Sequence, residues 1–301
     1  MYIEEKIIVP TNDFVFKRIF GYPGSEKITK RLLELIIEDD IESIDLGNST
    51  ILEKDLRDDK VGILDILAKG KDNTKYNIEM QMISKENIQD RMLFYWSKVF
   101  LRGIKEGNQY DELNKVVSIL IANFKLKNIK EIPEFHTKWQ IREETYSNTV
   151  LTSKLEIHII ELPKLIEMIE NGLVSKKDEL VIWLRFIMNP EELSMEEIDY
   201  TDEIKEAERI LRDINSNEHD IWLAEQRLKY IRDQYAERKY ARKEGYEEGH
   251  EEGYKEGHKK GHKEGNKEAM IKVARKMIQK EIPINEIIEL TGLTKEEIEN
   301  I

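Results

Sequence analysis

Apolar residues recur with a helical period at the start of the chain. One helix is predicted to open at Phe14, where Asn12 or Asp13 can cap it, and a second covers about residues 27–37. Further along the chain, apolar runs predict strands and helical periods predict helices. These are helices at about 86–105, 165–172 and 179–188, and strands at about 116–124, 135–141 and 155–162. The mixed order of helices and strands predicts an α/β core.

Two short apolar segments between the second and third helices predict a β-hairpin. Residues 61–68 form an apolar run of strand length, and residues 76–82 alternate strictly between apolar and polar side chains. Residues 70–74, which lie between them, have the composition of a turn.

Acidic residues occupy both strands of this predicted hairpin. Asp65 interrupts the apolar run, whereas Asn77, Glu79 and Gln81 share one face of the second strand. A hairpin that is symmetric about Asp72 places Asp65 opposite Glu79, with Cβ atoms about 4.5 to 5.5 Å apart. Two carboxylates that close repel unless one is protonated or a cation lies between them, and Mg²⁺ or Mn²⁺ is suited to such a position. The alternative is an exposed hairpin with two solvated acids.

The helix predicted after the hairpin carries a stripe of candidate DNA contacts. Arg91, Tyr95, Lys98 and Arg102 are spaced by four, three and four residues, which places them on one face opposite the apolar residues. Such a stripe can hold phosphate groups. A solvated helix face produces the same pattern.

Composition and charge limit the possible classes of protein. The 301 residues include no cysteine, which excludes disulfides and thiol nucleophiles and favours a reducing cytoplasm. No stretch approaches the roughly 20 apolar residues that a transmembrane helix needs, so a soluble protein is expected. The net charge of −13 argues against binding nucleic acid through bulk charge. However, residues 1–125 hold 19 basic and 22 acidic side chains, so most of the excess acid lies beyond them.

The C-terminal third contains a repeat with glycine at every fourth position. Six interior glycines cost a helix roughly 5 kcal/mol relative to alanine, so an isolated helix of this composition would not persist. The segment is therefore expected either to pack closely against another helix, with self-association favoured, or to form a flexible linker. The repeated residues are Gly245, Gly249, Gly253, Gly257, Gly261 and Gly265.

Several blocks, taken in order, resemble the Rpn family of recombination-promoting nucleases and transposases, in the PD-(D/E)XK nuclease superfamily. The resemblance covers about the first 190 residues, and the glycine-rich charged tail is also typical of the family. It implies a restriction-endonuclease-like α/β core, with a mixed central sheet flanked by helices, and an α-helical C-terminal extension. The blocks are Asn12–Gly21, Asp59–Asp65, Tyr76–Gln81, Arg91–Tyr95, Gly107–Tyr110, the strand from Val116 and Glu161–Lys164.

The resemblance implies roles for the hairpin residues. Asp65 matches the first motif acid, Glu79 the second, and Gln81 the position where the superfamily usually has lysine. A Mg²⁺ or Mn²⁺ ion is implied to bind Asp65, Glu79 and the backbone carbonyl of Met80. Glutamine at position 81 is common in this branch, although it removes a cation from the site.

The resemblance also adds residues from two helices. Asp13 and Lys17 match the signature of the first helix, where Asp13 is a further candidate metal ligand and Lys17 a candidate DNA contact. Arg91 and Tyr95 gain support as DNA contacts from the same match, whereas Lys98 and Arg102 rest on their spacing alone.

The predicted function is a metal-dependent DNA endonuclease, acting in recombination, mobile-element biology or phage defence. The alternative is a non-catalytic DNA-binding or regulatory protein that keeps the nuclease fold and uses its tail to bind partners. A homodimer or higher homo-oligomer is expected through the C-terminal helical region. The predicted division is a nuclease-like domain (1–190), a charged helical region (191–243), the glycine repeat (244–268) and a small helix-turn-helix-like tail (269–301).

Overall fold

The computed structural model of the protein describes residues 8–47, 66–84, 87–102, 109–198 and 200–301. These residues form two compact units, Met1–Asp233 and Gln234–Ile301. The first unit therefore includes helices beyond residue 190, where the sequence predicts the nuclease-like domain to end. Among the described residues, no helix combines the length and the apolar character that crossing a bilayer requires.

The elements follow the predicted order. The strands are β1 (Ile44–Asp45), β2 (Ile66–Gly70), β3 (Lys75–Gln81), β4 (Val116–Ala122), β5 (His136–Trp139) and β6 (Leu155–Glu161). The helices are α1 (Asp13–Phe20), α2 (Glu26–Ile37), α3 (Ile88–Leu101), α4 (Leu162–Glu170), α5 (Glu179–Met188), α6 (Met195–Ile198), α7 (Asp202–Ser216), α8 (Glu218–Gln279), α9 (Ile284–Thr291) and α10 (Lys295–Glu299).

In the described part of the chain, six strands form one mixed sheet in the order β1-β2-β3-β4-β6-β5. The central pairs β3–β4 and β4–β6 are parallel, and the other pairs are antiparallel. The strand β4, which is buried along its whole length, is an uninterrupted apolar run apart from Ser118, as expected for a strand covered on both faces. This mixed sheet with flanking helices confirms the predicted α/β fold class.

The hairpin β2–β3 has the predicted register. Ile66 pairs with Ile78 and Lys69 pairs with Lys75, so the described pairs are symmetric about Asp72. The turn is closed by the Asp72 carboxylate, which accepts a hydrogen bond from the amide of Thr74 at 3.0 Å. Asp65, the predicted partner of Glu79, lies outside the described residues.

The two faces of the sheet are covered by different helices. Helices α1, α2, α5 and α7 contribute to the main core, in which Phe20 lies 4.8 Å from Phe16 and 5.9 Å from Trp183 between ring centroids. Helix α3 covers the other face, where Met92 packs in a cluster with Leu120 of β4. Side chains of β3 and β4 that point to this second face therefore lie on the side of the sheet where α3 packs.

The second unit contains the glycine repeat and the C-terminal helices. The repeat lies within α8 and is helical rather than a flexible linker, and a Cβ atom added at any of its six glycines would meet no atom within 4 Å. A small apolar cluster joins Ala274, near the end of α8, to Ile287, Leu293 and Ile298. Gly292, which has a φ of 68°, ends α9 in the left-handed conformation that favours glycine.

Candidate functional site

Glu79 and Gln81 lie on the face of the sheet that α3 covers. Asn77 pairs with Leu67, which packs against Tyr95 of α3. Because side chains alternate along a strand, Glu79 and Gln81 share the face of Asn77. Glu79 is 3% exposed and Gln81 is half-buried. The structure thus places an ionisable carboxylate and a neutral amide side by side under a helix, as the alternation in β3 predicts.

Two further oxygen atoms are buried beside Glu79 on this face. Asn77 and Ser118 are directly paired across β3 and β4, and their side chains are almost completely buried. Asn77 Oδ1 and Ser118 Oγ make no hydrogen bond within the described part of the chain. Buried polar atoms normally make hydrogen bonds, so each of these two oxygen atoms is available to accept a hydrogen bond or to bind a cation. Together with Glu79 they form a group of hard oxygen donors under α3.

The first helix reaches the start of β2. A Cβ atom added at Gly21 would lie 3.1 Å from Cγ1 of Ile66 and 3.2 Å from Cγ of Lys17. Glycine at this position therefore lets the end of α1 approach the strand closely. Ile66 follows Asp65 directly in the sequence and pairs with Ile78, the neighbour of Glu79. The structure thus places the stem of Lys17, next to Gly21, close to the start of β2.

Asp13 is held by an arginine that the sequence analysis missed. Nε of Arg227 in α8 donates a hydrogen bond to Oδ1 of Asp13 at 2.8 Å, and the same carboxylate accepts the amide of Phe14 at 3.0 Å. Because 214 residues separate Asp13 from Arg227, no local pattern indicates the pair. The role of Asp13 as a metal ligand stays a prediction.

The position predicted for Tyr95 on a solvent-facing stripe is wrong. Its side chain is 1% exposed, because α3 turns Ile88, Met92, Tyr95 and Val99 towards the sheet, at spacings of four, three and four. The neighbouring apolar residue Leu93 is 48% exposed.

The cations of the stripe are distributed around this helix. The Arg91 guanidinium lies over the ring of Tyr95, 5.1 Å from its centroid, and its Nε is buried without a hydrogen bond in the described part of the molecule. Nζ of Lys98 lies 4.9 Å from the ring centroid of Phe94, and Arg102 is exposed. Tyr95 is therefore placed to support Arg91 from below rather than to face solvent.

The side chain of Met80 points to the other face of the sheet and is 1% exposed in the main core. The structure does not test its backbone carbonyl as a metal ligand. Within the described ranges, no group of three or more His, Cys, Asp or Glu side chains has a geometry that could hold a metal ion. A metal ion bound by Glu79 would take its further acidic ligand from outside these ranges, and Asp65 is the predicted one.

A second buried polar cluster lies on the opposite face of the sheet, at β5 and β6. His136 Nε2 and His158 Nδ1 are 2.9 Å apart, and His158 Nε2 is 2.9 Å from Oε1 of Glu156. Lys115 and Lys138 each place Nζ 3.1 Å from an oxygen of Glu156. Glu156 and His158 interrupt the apolar run of β6, and this interruption is the feature of the sequence that could have indicated the cluster.

Burial and hydrogen bonding shift the titration of this cluster. Burial alone would raise the pKa of Glu156, but hydrogen bonds from His158, Lys115 and Lys138 outweigh it and hold the pKa well below its usual range. Burial, together with the charges of His158 and Lys138, lowers the pKa of His136 to about 4. His136 is therefore neutral at neutral pH.

The block Glu161–Lys164 forms a buried ion pair at the edge where β3, β4 and β6 end. Glu161 Oε1 accepts the amide of Leu126 at 2.6 Å, and its Oε2 lies 2.5 Å from Nζ of Lys164. Lys164 also donates to the carbonyls of Ile129 and Ile132, at 3.0 and 2.7 Å. The pair thus fastens the segment that follows β4 to the end of β6.

Comparison with known proteins agrees with this architecture. No curated protein and no solved structure matches the chain. The sequence profile of the PD-(D/E)XK nuclease family transposases matches residues 10–241, which include the hairpin, α3, the buried Glu161 pair and the first turns of α8. Because this match covers more than half of the chain, the protein belongs to the PD-(D/E)XK nuclease family transposases.

Proposed function

We propose that this protein is a metal-dependent DNA endonuclease whose catalytic centre is built around Glu79. The observation that carries the proposal is the burial of Glu79 on the sheet face under α3, next to Gln81, in a chain that belongs to a nuclease family. A divalent cation would bind a carboxylate in this position and balance its charge.

The donor atoms suit a hard cation. Carboxylate and amide oxygens are the ligands that Mg²⁺ and Mn²⁺ prefer, and Glu79 and Gln81 present them on one face. Asp65 is proposed as the second carboxylate because it directly precedes β2, whose register with β3 is symmetric about Asp72. When bound, such an ion supplies polarisation of the scissile phosphate and a lowered pKa of a coordinated water.

The other side chains are proposed to hold the substrate. Lys17, whose stem lies near the start of β2, would contact a phosphate of the DNA backbone, and Arg91 would contact another from its position over Tyr95. Gln81 would orient the attacking water or a phosphate oxygen by hydrogen bonds, without the charge that a lysine would bring. Lys98 and Arg102 would extend the phosphate contacts along α3.

The residues beyond 233 are proposed to mediate self-association. They include the glycine repeat, beside which the space is open, since a Cβ atom there would meet no neighbour within 4 Å. Because glycine has no side chain, a second helix could approach this backbone closely. An oligomer would place two catalytic centres in one particle, which fits paired cuts in opposite strands. Recombination, mobile-element activity and phage defence are the proposed biological contexts.

A plasmid cleavage assay tests the catalytic proposal. Supercoiled DNA is incubated with the protein in Mg²⁺, Mn²⁺ or EDTA, and nicked and linear products are measured. We expect cleavage only with metal, and a loss of at least about 100-fold in Glu79→Gln and Asp65→Ala, since each removes a charge that the ion needs. Glu170→Gln is the matched control, because Glu170 is an exposed glutamate at the end of α4.

The possible results separate the two candidate functions. Equal cleavage by Glu79→Gln and the control would refute this catalytic centre. DNA binding without cleavage under every metal condition would favour the non-catalytic DNA-binding alternative.

A further inference from the structure

The first turns of α8 contact the polar residues at both ends of α1. Arg227 binds Asp13 at the start of α1, and Nη2 of Arg18 lies 3.1 Å from Oδ2 of Asp220. Between these two contacts, Nδ2 of Asn12 donates to the carbonyl of Ala224 at 2.9 Å. The three contributing residues of α8 are four and three positions apart, so they lie on one face of that helix.

Asn12 joins the two helices through a single buried side chain. Its Oδ1 caps α1 by accepting the amide of Phe14 at 3.0 Å, while its Nδ2 binds α8. Asn12 is 1% exposed and Ala224 is completely buried, so this contact is closed to solvent. The start of α1 is therefore defined jointly by its own cap and by α8.

The far end of α1 lies against the hairpin of the proposed catalytic centre. Gly21 brings the helix end within close contact of Ile66, and the stem of Lys17 lies at the same place. A rotation or shift of α1 would therefore move Lys17 relative to the start of β2. The contacts that α8 makes with the first turn of α1 therefore also determine the position of Lys17.

We propose that Arg227 is a positioning residue, which holds α1 through Asp13 and thereby places Lys17 near the start of β2. Arg227 is itself supported by Tyr230, whose ring centroid lies 5.1 Å from the guanidinium carbon. The side chains of Arg227 and Asp13 are 44% and 16% exposed, so the pair contributes little to global stability. The ion pair instead determines the local position of α1. The effect on catalysis rests on the proposed function, whereas the effect on α1 does not.

Hydrogen exchange tests the structural part without DNA or metal. Amide exchange across α1 is measured by mass spectrometry in the full-length protein and in Arg227→Ala, Arg227→Lys and Arg232→Ala. Arg232 is an exposed arginine of the same helix and serves as the control. We expect α1 to exchange about threefold to fivefold faster in Arg227→Ala, partial recovery in Arg227→Lys, and no change in Arg232→Ala. Unchanged exchange of α1 in Arg227→Ala would overturn the proposal.

Kinetics test the catalytic part. We expect Arg227→Ala to lower kcat about tenfold and to raise KM by a smaller factor, because a misplaced Lys17 raises the barrier and weakens one of several proposed phosphate contacts. Arg227→Lys should restore part of kcat. A raised KM with unchanged kcat would instead identify Arg227 as a DNA contact and overturn the positioning role. If the wild-type protein cleaves no DNA, the proposed function fails, and the exchange experiment alone still decides whether Arg227 holds α1.

Discussion

The buried pair of Lys164 and Glu161 allows a large and specific loss of stability to be predicted. Their side chains are only 5% and 1% exposed. Substituting Lys164→Met leaves the Glu161 carboxylate buried with the amide of Leu126 as its one remaining partner among the described residues, and it removes the donor to the carbonyls of Ile129 and Ile132. Breaking a buried pair in this way costs about 3–5 kcal/mol.

A surface pair of the same chemistry provides the control. Lys125 and Glu167 are 2.6 Å apart, but their side chains are 43% and 54% exposed. Lys125→Met should therefore cost less than about 1 kcal/mol. The double variant Glu161→Gln with Lys164→Met should recover part of the loss, because it no longer buries an unpaired charge.

Urea denaturation followed by tryptophan fluorescence measures these free energies of unfolding. All four tryptophans precede residue 234, so their fluorescence reports on the first compact unit. If Lys164→Met costs no more than Lys125→Met, the account of this pair as a buried support for the segment after β4 is refuted.

Three other measurements follow from the structure. Below pH 6.5 the unfolded chain binds a proton that the folded chain resists, because the pKa of His136 is lowered to about 4. The folded state should thus lose about 2 kcal/mol between pH 7.5 and 5, and His136→Gln should lose correspondingly less in denaturation at the two pH values. Gly21→Ala should lower the thermal unfolding temperature and reduce cleavage, since the new Cβ would lie 2.9 Å from the carbonyl of Lys17; wild-type behaviour in both assays would contradict the close approach of α1. Deleting residues 244–301 should lower the number of chains per particle measured by light scattering, and an unchanged number would contradict self-association through the tail.

The hairpin could be predicted from the sequence because its determinants are local. Strict alternation along β3 and the turn chemistry around Asp72 are contained in a few consecutive residues, and together they define both the register and the face of Glu79. The first helix was predictable for the same reason, since its cap Asn12 is adjacent to it.

The rotation of α3 and the contacts of α1 depend on tertiary packing. Tyr95 has an amphipathic side chain, so its sequence position fits either a buried face or an exposed stripe, and packing against Leu67 and Val99 buries it. The pair of Asp13 and Arg227 joins residues at opposite ends of the first unit. Periodicity carries no information about such contacts, because they arise only when the helices are assembled.

The central claim is that Glu79 belongs to a divalent-metal site, and anomalous diffraction from crystals soaked in Mn²⁺ tests it most directly. The account predicts an anomalous peak at coordination distance, about 2.0–2.2 Å, from a carboxylate oxygen of Glu79, and its loss in crystals of Glu79→Gln. Fully ordered density for Glu79 with no peak beside it at saturating Mn²⁺ would contradict the account.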